Sequence, residues 1–112
     1  MDDRNWIGKT VTVTIDRPLG STHPKHADII YELNYGYIEG VIAPDGEELD
    51  AYIYGVNEAV KMFTGTVIAI VHRYDDVENK LVVAPDGINA DEYEIYEAVK
   101  FQEQYFNVDV IK

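Results

Sequence analysis

Short apolar segments with a period of two, each cut off by a turn signal, fill most of this chain and commit it to a mainly β fold. Thr10 to Ile15 alternates cleanly as a half-buried strand does. Ile29–Tyr31, Asn34–Ile38 and Val41–Ala43 read as shorter extended pieces, interrupted at Gly36 and Gly40. Leu49 to Tyr54 alternates again and ends at Gly55. A loop holding Lys61 and Gly65 then leads into an apolar strand over 66–73. Lys80 to Ala84 is its expected partner across a turn at Asp75-Asp76. Ala-Pro-Asp-Gly occurs at both 43–46 and 84–87, which two turns of one type explain better than a duplication.

Towards the end the period changes to three and four, through Ile95, Ala98, Val99, Phe101, Tyr105 and Phe106. That spacing predicts a helix over about 91–105 with one face against the strands. Asn89-Ala-Asp-Glu92 reads as its capping box, with Asn89 as the cap, and Val108–Ile111 as a last short strand. The expected architecture is a small closed or nearly closed β-barrel with one C-terminal α-helix packed against it, a single domain spanning 1–112. A chain of 112 residues with 46% hydrophobic content can build one core of that size. Its longest apolar run, Val67–Val71, is far short of the ~20 residues of a membrane span. The acidic, polar start is unlike a secretion signal, and with no cysteine in the chain a cytoplasmic location is expected.

Charge narrows the function. Twenty-one Asp and Glu against nine Lys and Arg give a formal net charge of -12. A phosphate backbone is bound through clustered Lys and Arg, so nucleic acid is not an expected partner. Acidity of this kind serves solubility, and it also supplies oxygen ligands for hard divalent ions. Asp45-Gly-Glu-Glu-Leu-Asp50 packs four carboxylates into six residues, from a turn into a strand. Asp75-Asp-Val-Glu-Asn-Lys80 is a second acidic turn between apolar strands. Each alone is an ordinary solvated turn; closing one end of one barrel together, they would form a joint metal site. The scarce cations gather at Arg17 and at His23-Pro-Lys-His26, a stretch suited to phosphate oxygens or to surface ion pairs. His23 and His26 lack a third close ligand, which argues against zinc. Most of the nine tyrosines, among them Tyr31, Tyr52, Tyr54, Tyr93 and Tyr96, read as packing residues. Tyr35 differs, because Gly36 lets the backbone bend and aim it into a cleft while Tyr37 packs.

Taken in order, Asp16-Arg17, Asn34-Tyr-Gly-Tyr-Ile38, Asp45-Gly-Glu-Glu-Leu-Asp50 and Asp75…Glu78-Asn-Lys80 resemble the soluble family I inorganic pyrophosphatases over about residues 11–85. Phe101 to Tyr105 is similar to that family's closing helix. The resemblance implies a barrel of oligonucleotide-binding-like (OB-like) shape with carboxylates at its mouth. Asp45, Asp50 and Glu78 would hold Mg2+, with Asp75 helping a further ion. Glu47 falls where the family carries the general base that takes the proton from water. Arg17, Tyr35, Lys80 and Tyr105 would bind phosphate oxygens. The implied activity is hydrolysis of diphosphate to two phosphates, on a small-molecule substrate, with self-association into a homo-oligomer open to so small a barrel.

The departures from that pattern are specific. Only about ten residues precede Thr10, so the Glu and Lys that the family carries before this strand have no counterpart. Glu47 and Glu78 replace aspartates, Glu48 replaces the signature proline, and Phe106 replaces the Lys that commonly follows the last Tyr. Lys25, with the two histidines, is the candidate to restore the lost positive charge on substrate. A metal-dependent hydrolase of a nucleotide or other organic phosphoanhydride, and a non-catalytic relative that binds phosphate or metal, are the alternative readings.

Overall fold

The computed structural model describes residues 3–43, 46–74 and 79–112. Six strands, β1 (Thr10–Arg17), β2 (Asn34–Ile42), β3 (Glu48–Ile53), β4 (Met62–Arg73), β5 (Asn79–Ala84) and β6 (Val108–Ile111), frame it, with helix α1 (Glu92–Glu103) between the last two. The first five close into a ring in the order β1-β2-β3-β5-β4, sealed by β1 pairing with β4. Every pair is antiparallel except β3 with β5. β6 lies outside the ring, antiparallel to residues 70–73 at the end of β4. The expected mainly β barrel with one C-terminal helix is what forms.

Alternation along the strands sorts the buried side chains into two cores. Val11, Val13, Ile15, Ile38, Leu49, Ile53, Val67, Ile70, Leu81 and Val83 come from all five ring strands and fill the barrel interior. Tyr35, Tyr52, Ala69, Val71 and Val82 face the other way and pack against Ile95, Val99 and Phe101 of the helix. Hence the outer wall of the barrel, where the helix covers it, is a second core.

Several local expectations are corrected. β2 is one continuous strand, and Gly36 does not break it: a Cβ there would overlap the Thr14 carbonyl oxygen of neighbouring β1, so only glycine lets the strands approach. Tyr37 shares a strand face with Tyr35, two residues apart, and is half-buried. Ile30 makes only an isolated bridge to Thr22. β4 starts at Met62, ahead of the expected 66, with Gly65 inside it. The helix is capped by Asp91 and not by Asn89: the Asp91 side chain accepts from the Glu94 N–H and the Glu94 carboxylate accepts from the Asp91 N–H. The helix ends at Glu103, so Tyr105 and Phe106 lie in the turn beyond it.

Candidate functional site

Period two alone would bury Arg17 inside the barrel beside Ile15. A bulge between Ile15 and Arg17 adds one residue and brings Arg17 opposite Tyr35, on the helix-side face. A second bulge, between Val67 and Ala69, sets Ala69, Val71 and Arg73 on that same face. Asp50 shares it with Tyr52, and Lys80 with Val82, because residues two apart point the same way. The parallel register Ala51↔Leu81 places Asp50 beside Lys80.

These side chains meet. The Tyr35 hydroxyl donates to Asp50 Oδ2 at 2.8 Å and accepts from Lys80 Nζ at 2.7 Å. Lys80 Nζ also donates to Asp50 Oδ2, at 3.0 Å. Both bonds fall on one carboxylate oxygen, which leaves the Oδ1 lone pairs of Asp50 for another partner. The guanidinium of Arg17 lies 5.8 Å from the Tyr31 ring centre and 5.6 Å from that of Tyr35, and its Nη1 donates to the Tyr31 hydroxyl at 2.7 Å. At the rim, partial burial raises the Asp16 carboxyl above its ordinary value; Arg17 opposes the rise and the charge of Asp50 adds to it.

A hydrogen-bond chain runs from this cluster into the helix. The Tyr31 hydroxyl donates to Gln102 Oε1 at 2.6 Å, and Gln102 Nε2 donates to the Tyr52 hydroxyl at 2.6 Å. Tyr52 in turn donates to Glu103 Oε2 at 2.6 Å. Glu103 is held from its far side by Arg73, whose Nε and Nη2 reach its two oxygens at 2.8 and 2.7 Å. The Arg73 guanidinium lies 3.7 Å over the Phe106 ring. Burial pushes the Tyr52 phenol well above its usual value, and the Glu103 charge reinforces this, so the phenol stays a donor. Nothing in the sequence flagged this chain, since Tyr31 and Gln102 lie 71 residues apart.

The result is a cavity of about 470 Å3 on the outer wall at one end of the barrel, not in its mouth. Of the expected substrate ligands, Arg17, Tyr35, Lys80 and Tyr105 line it, with Asp50 from the expected metal set. Arg73, Gln102, His23, His26 and Asp28 line it as well. Lys25 is exposed on the β1–β2 loop and Glu47 on the bend before β3, and neither is among the lining residues. Asp45, Asp75 and Glu78 lie outside the described residues. β3 and β5 are parallel neighbours, so Glu48 and Asn79 begin them at the same end of the ring. Among the described residues no three His, Asp or Glu side chains are grouped as a metal centre.

No protein-family model matches the chain, and no curated protein matches it. Solved structures do. An inorganic phosphatase from Anaplasma phagocytophilum superposes with a TM-score of 0.61 at 16% identity, over 90% of this chain and 81% of that one. The inorganic pyrophosphatase of Helicobacter pylori gives 0.61 at 14% identity, covering 91% and 82%. That of Neisseria gonorrhoeae gives 0.55 at 21%, covering 93% and 74%. At such identities what is shared is the fold, and it is the fold of the inorganic pyrophosphatases.

Proposed function

We propose that this chain is a Mg2+-dependent inorganic diphosphatase, converting pyrophosphate and water to two phosphates. One observation carries the reading. In a chain of net charge -12, three of the nine Lys and Arg side chains, Arg17, Arg73 and Lys80, line a single cavity with two carboxylates, Asp28 and Asp50. Such a cavity attracts an anion and still offers an oxygen ligand to a cation. The shared fold is consistent with it.

Asp50, with Asp45, Asp75 and Glu78, would hold the ion. The donors are all carboxylate oxygens, which suits a hard ion such as Mg2+, and Asp50 Oδ1 is available to it. The bound ion supplies charge neutralisation and a more acidic water. Arg17 and Lys80 bind the phosphate oxygens and offset the charge that gathers on the leaving phosphate. Tyr35 orients both Lys80 and Asp50, and Tyr105 binds phosphate oxygens. Glu47 accepts the proton of the attacking water, and exposed Lys25 draws the anion in from solvent.

Release of phosphate from pyrophosphate in the presence of Mg2+ tests the reading. Asp50→Asn is expected to lower that rate by about a hundredfold or more with little change in melting temperature. An intact rate in Asp50→Asn, or no phosphate released by the unaltered protein, would overturn it.

A further inference from the structure

The cavity is wider than an inorganic diphosphate needs, and its two sides differ in chemistry. Pockets of roughly 300–1,000 Å3 enclose small organic ligands, and this one measures about 470 Å3. Arg17, Tyr35, Asp50 and Lys80 come from strands of the barrel wall. Facing them are His23, His26 and Ile29 from the β1–β2 loop, and Tyr105 and Phe106 from the turn after the helix. Four of these five carry flat rings, and Asp28 of the same loop adds one carboxylate beside them.

The loop side is a built surface. The Gly20 N–H donates to the Tyr31 carbonyl, Tyr31 N–H to Ser21, and His23 N–H to Ile29, at 2.7 to 2.9 Å, which zips the loop into a narrow hairpin. His23 Nδ1 accepts from the Lys25 N–H at 3.0 Å, which requires the unprotonated nitrogen. Burial lowers the His23 imidazole below its ordinary value, and Arg17, His26 and Lys25 push it the same way. His23 is therefore a neutral ring at pH 7, with Nε2–H as its remaining donor. Its centre lies 4.9 Å from that of His26 and 6.1 Å from that of Tyr31, nearly parallel to the latter. Tyr105, on the same side, leaves 60% of its surface exposed, so the core does not use its ring.

We infer that the loop wall formed by His23 and His26 binds the flat organic part of a substituted phosphoanhydride, such as a nucleoside diphosphate, whose terminal phosphates sit at Arg17 and Lys80. This rests on the reading of that same cavity as a phosphoanhydride site. In the reaction the water oxygen bonds to the terminal phosphorus. The bridging oxygen leaves with the electron pair on the nucleoside monophosphate, and the water protons pass to the products or to solvent.

Binding of methylene-bridged analogues, which cannot hydrolyse, tests it by calorimetry with Mg2+ present. α,β-Methylene ADP is expected to bind about tenfold more tightly than methylenediphosphonate, a gain of the size that ring stacking supplies. His23→Ala/His26→Ala, and the milder His26→Ala at an exposed position, should reduce that gain and leave methylenediphosphonate binding unchanged. Equal binding of the two analogues by the unaltered protein, or equal weakening of both in the variants, overturns the inference while leaving a phosphate site in place. A matching gain for tripolyphosphate, lost in the same variants, overturns it by making the loop wall a charge site. If methylenediphosphonate itself fails to bind, the pyrophosphatase reading fails and takes this inference with it.

Discussion

The two faces of the barrel wall are made by the same strands and obey different rules. Inward, Val13, Ile53, Leu81 and Val83 are fully buried among other aliphatic side chains. Among the described residues the polar exception there is Asn34, at the start of β2, whose amide ties two loops by accepting from Leu19 and Val60 N–H and donating to the Glu58 carbonyl. Outward, beneath the helix, the same strands carry Tyr35, Asp50, Tyr52, Arg73 and Lys80, bonded to one another or to Gln102 and Glu103. Each buried charge on that face has a partner, which is the condition under which burial of charge is tolerated. The inner face sets stability by volume; the outer face joins stability to chemistry.

That contrast can be broken deliberately. Glu103→Ala leaves Arg73 buried beside an emptied site and should cost about 3–5 kcal/mol, read as a fall in melting temperature and in the urea midpoint. Ile53→Ala, on the inner face, should cost about 2–5 kcal/mol, with KM for pyrophosphate unchanged in the protein that remains folded. Gln102→Leu removes one of the two hydrogen bonds made by each of the Tyr31 and Tyr52 hydroxyls, at about 0.5–1.5 kcal/mol per bond. It should also raise KM several-fold more than it lowers kcat, because Arg17 then loses its fixed orientation. Lys25→Ala is the smallest, a rise in KM of about twofold that disappears at high salt, as expected of an exposed charge.

Much of the framework was legible because period two and apolar runs are local signals. β1, β3, β5, β6 and the helix fall close to their expected places. β2 looks like fragments in sequence because a glycine there resembles a break. In three dimensions Gly36 marks a close approach to Thr14, and Gly40, with φ of 82°, sits in the irregular register between Tyr37 and Ile42. That Arg17, Tyr35, Asp50 and Lys80 share one cavity followed from the family resemblance and not from the residues alone. The outer-wall location did not, because it depends on two bulges that carry no residue signature. Tyr31 and Tyr52 were assigned to packing, which they do; their hydroxyl partners lie on a helix far along the chain.

β4 is twelve residues long and borders β1, β5 and β6 in turn. Its final four residues, 70–73, have β6 on the side that β5 does not cover. A chain cut after Asn107 would bare amides and carbonyls along that margin, next to the cation of Arg73. Such an uncapped border invites a strand from a second molecule, so the trimmed protein is expected to sediment as a larger species.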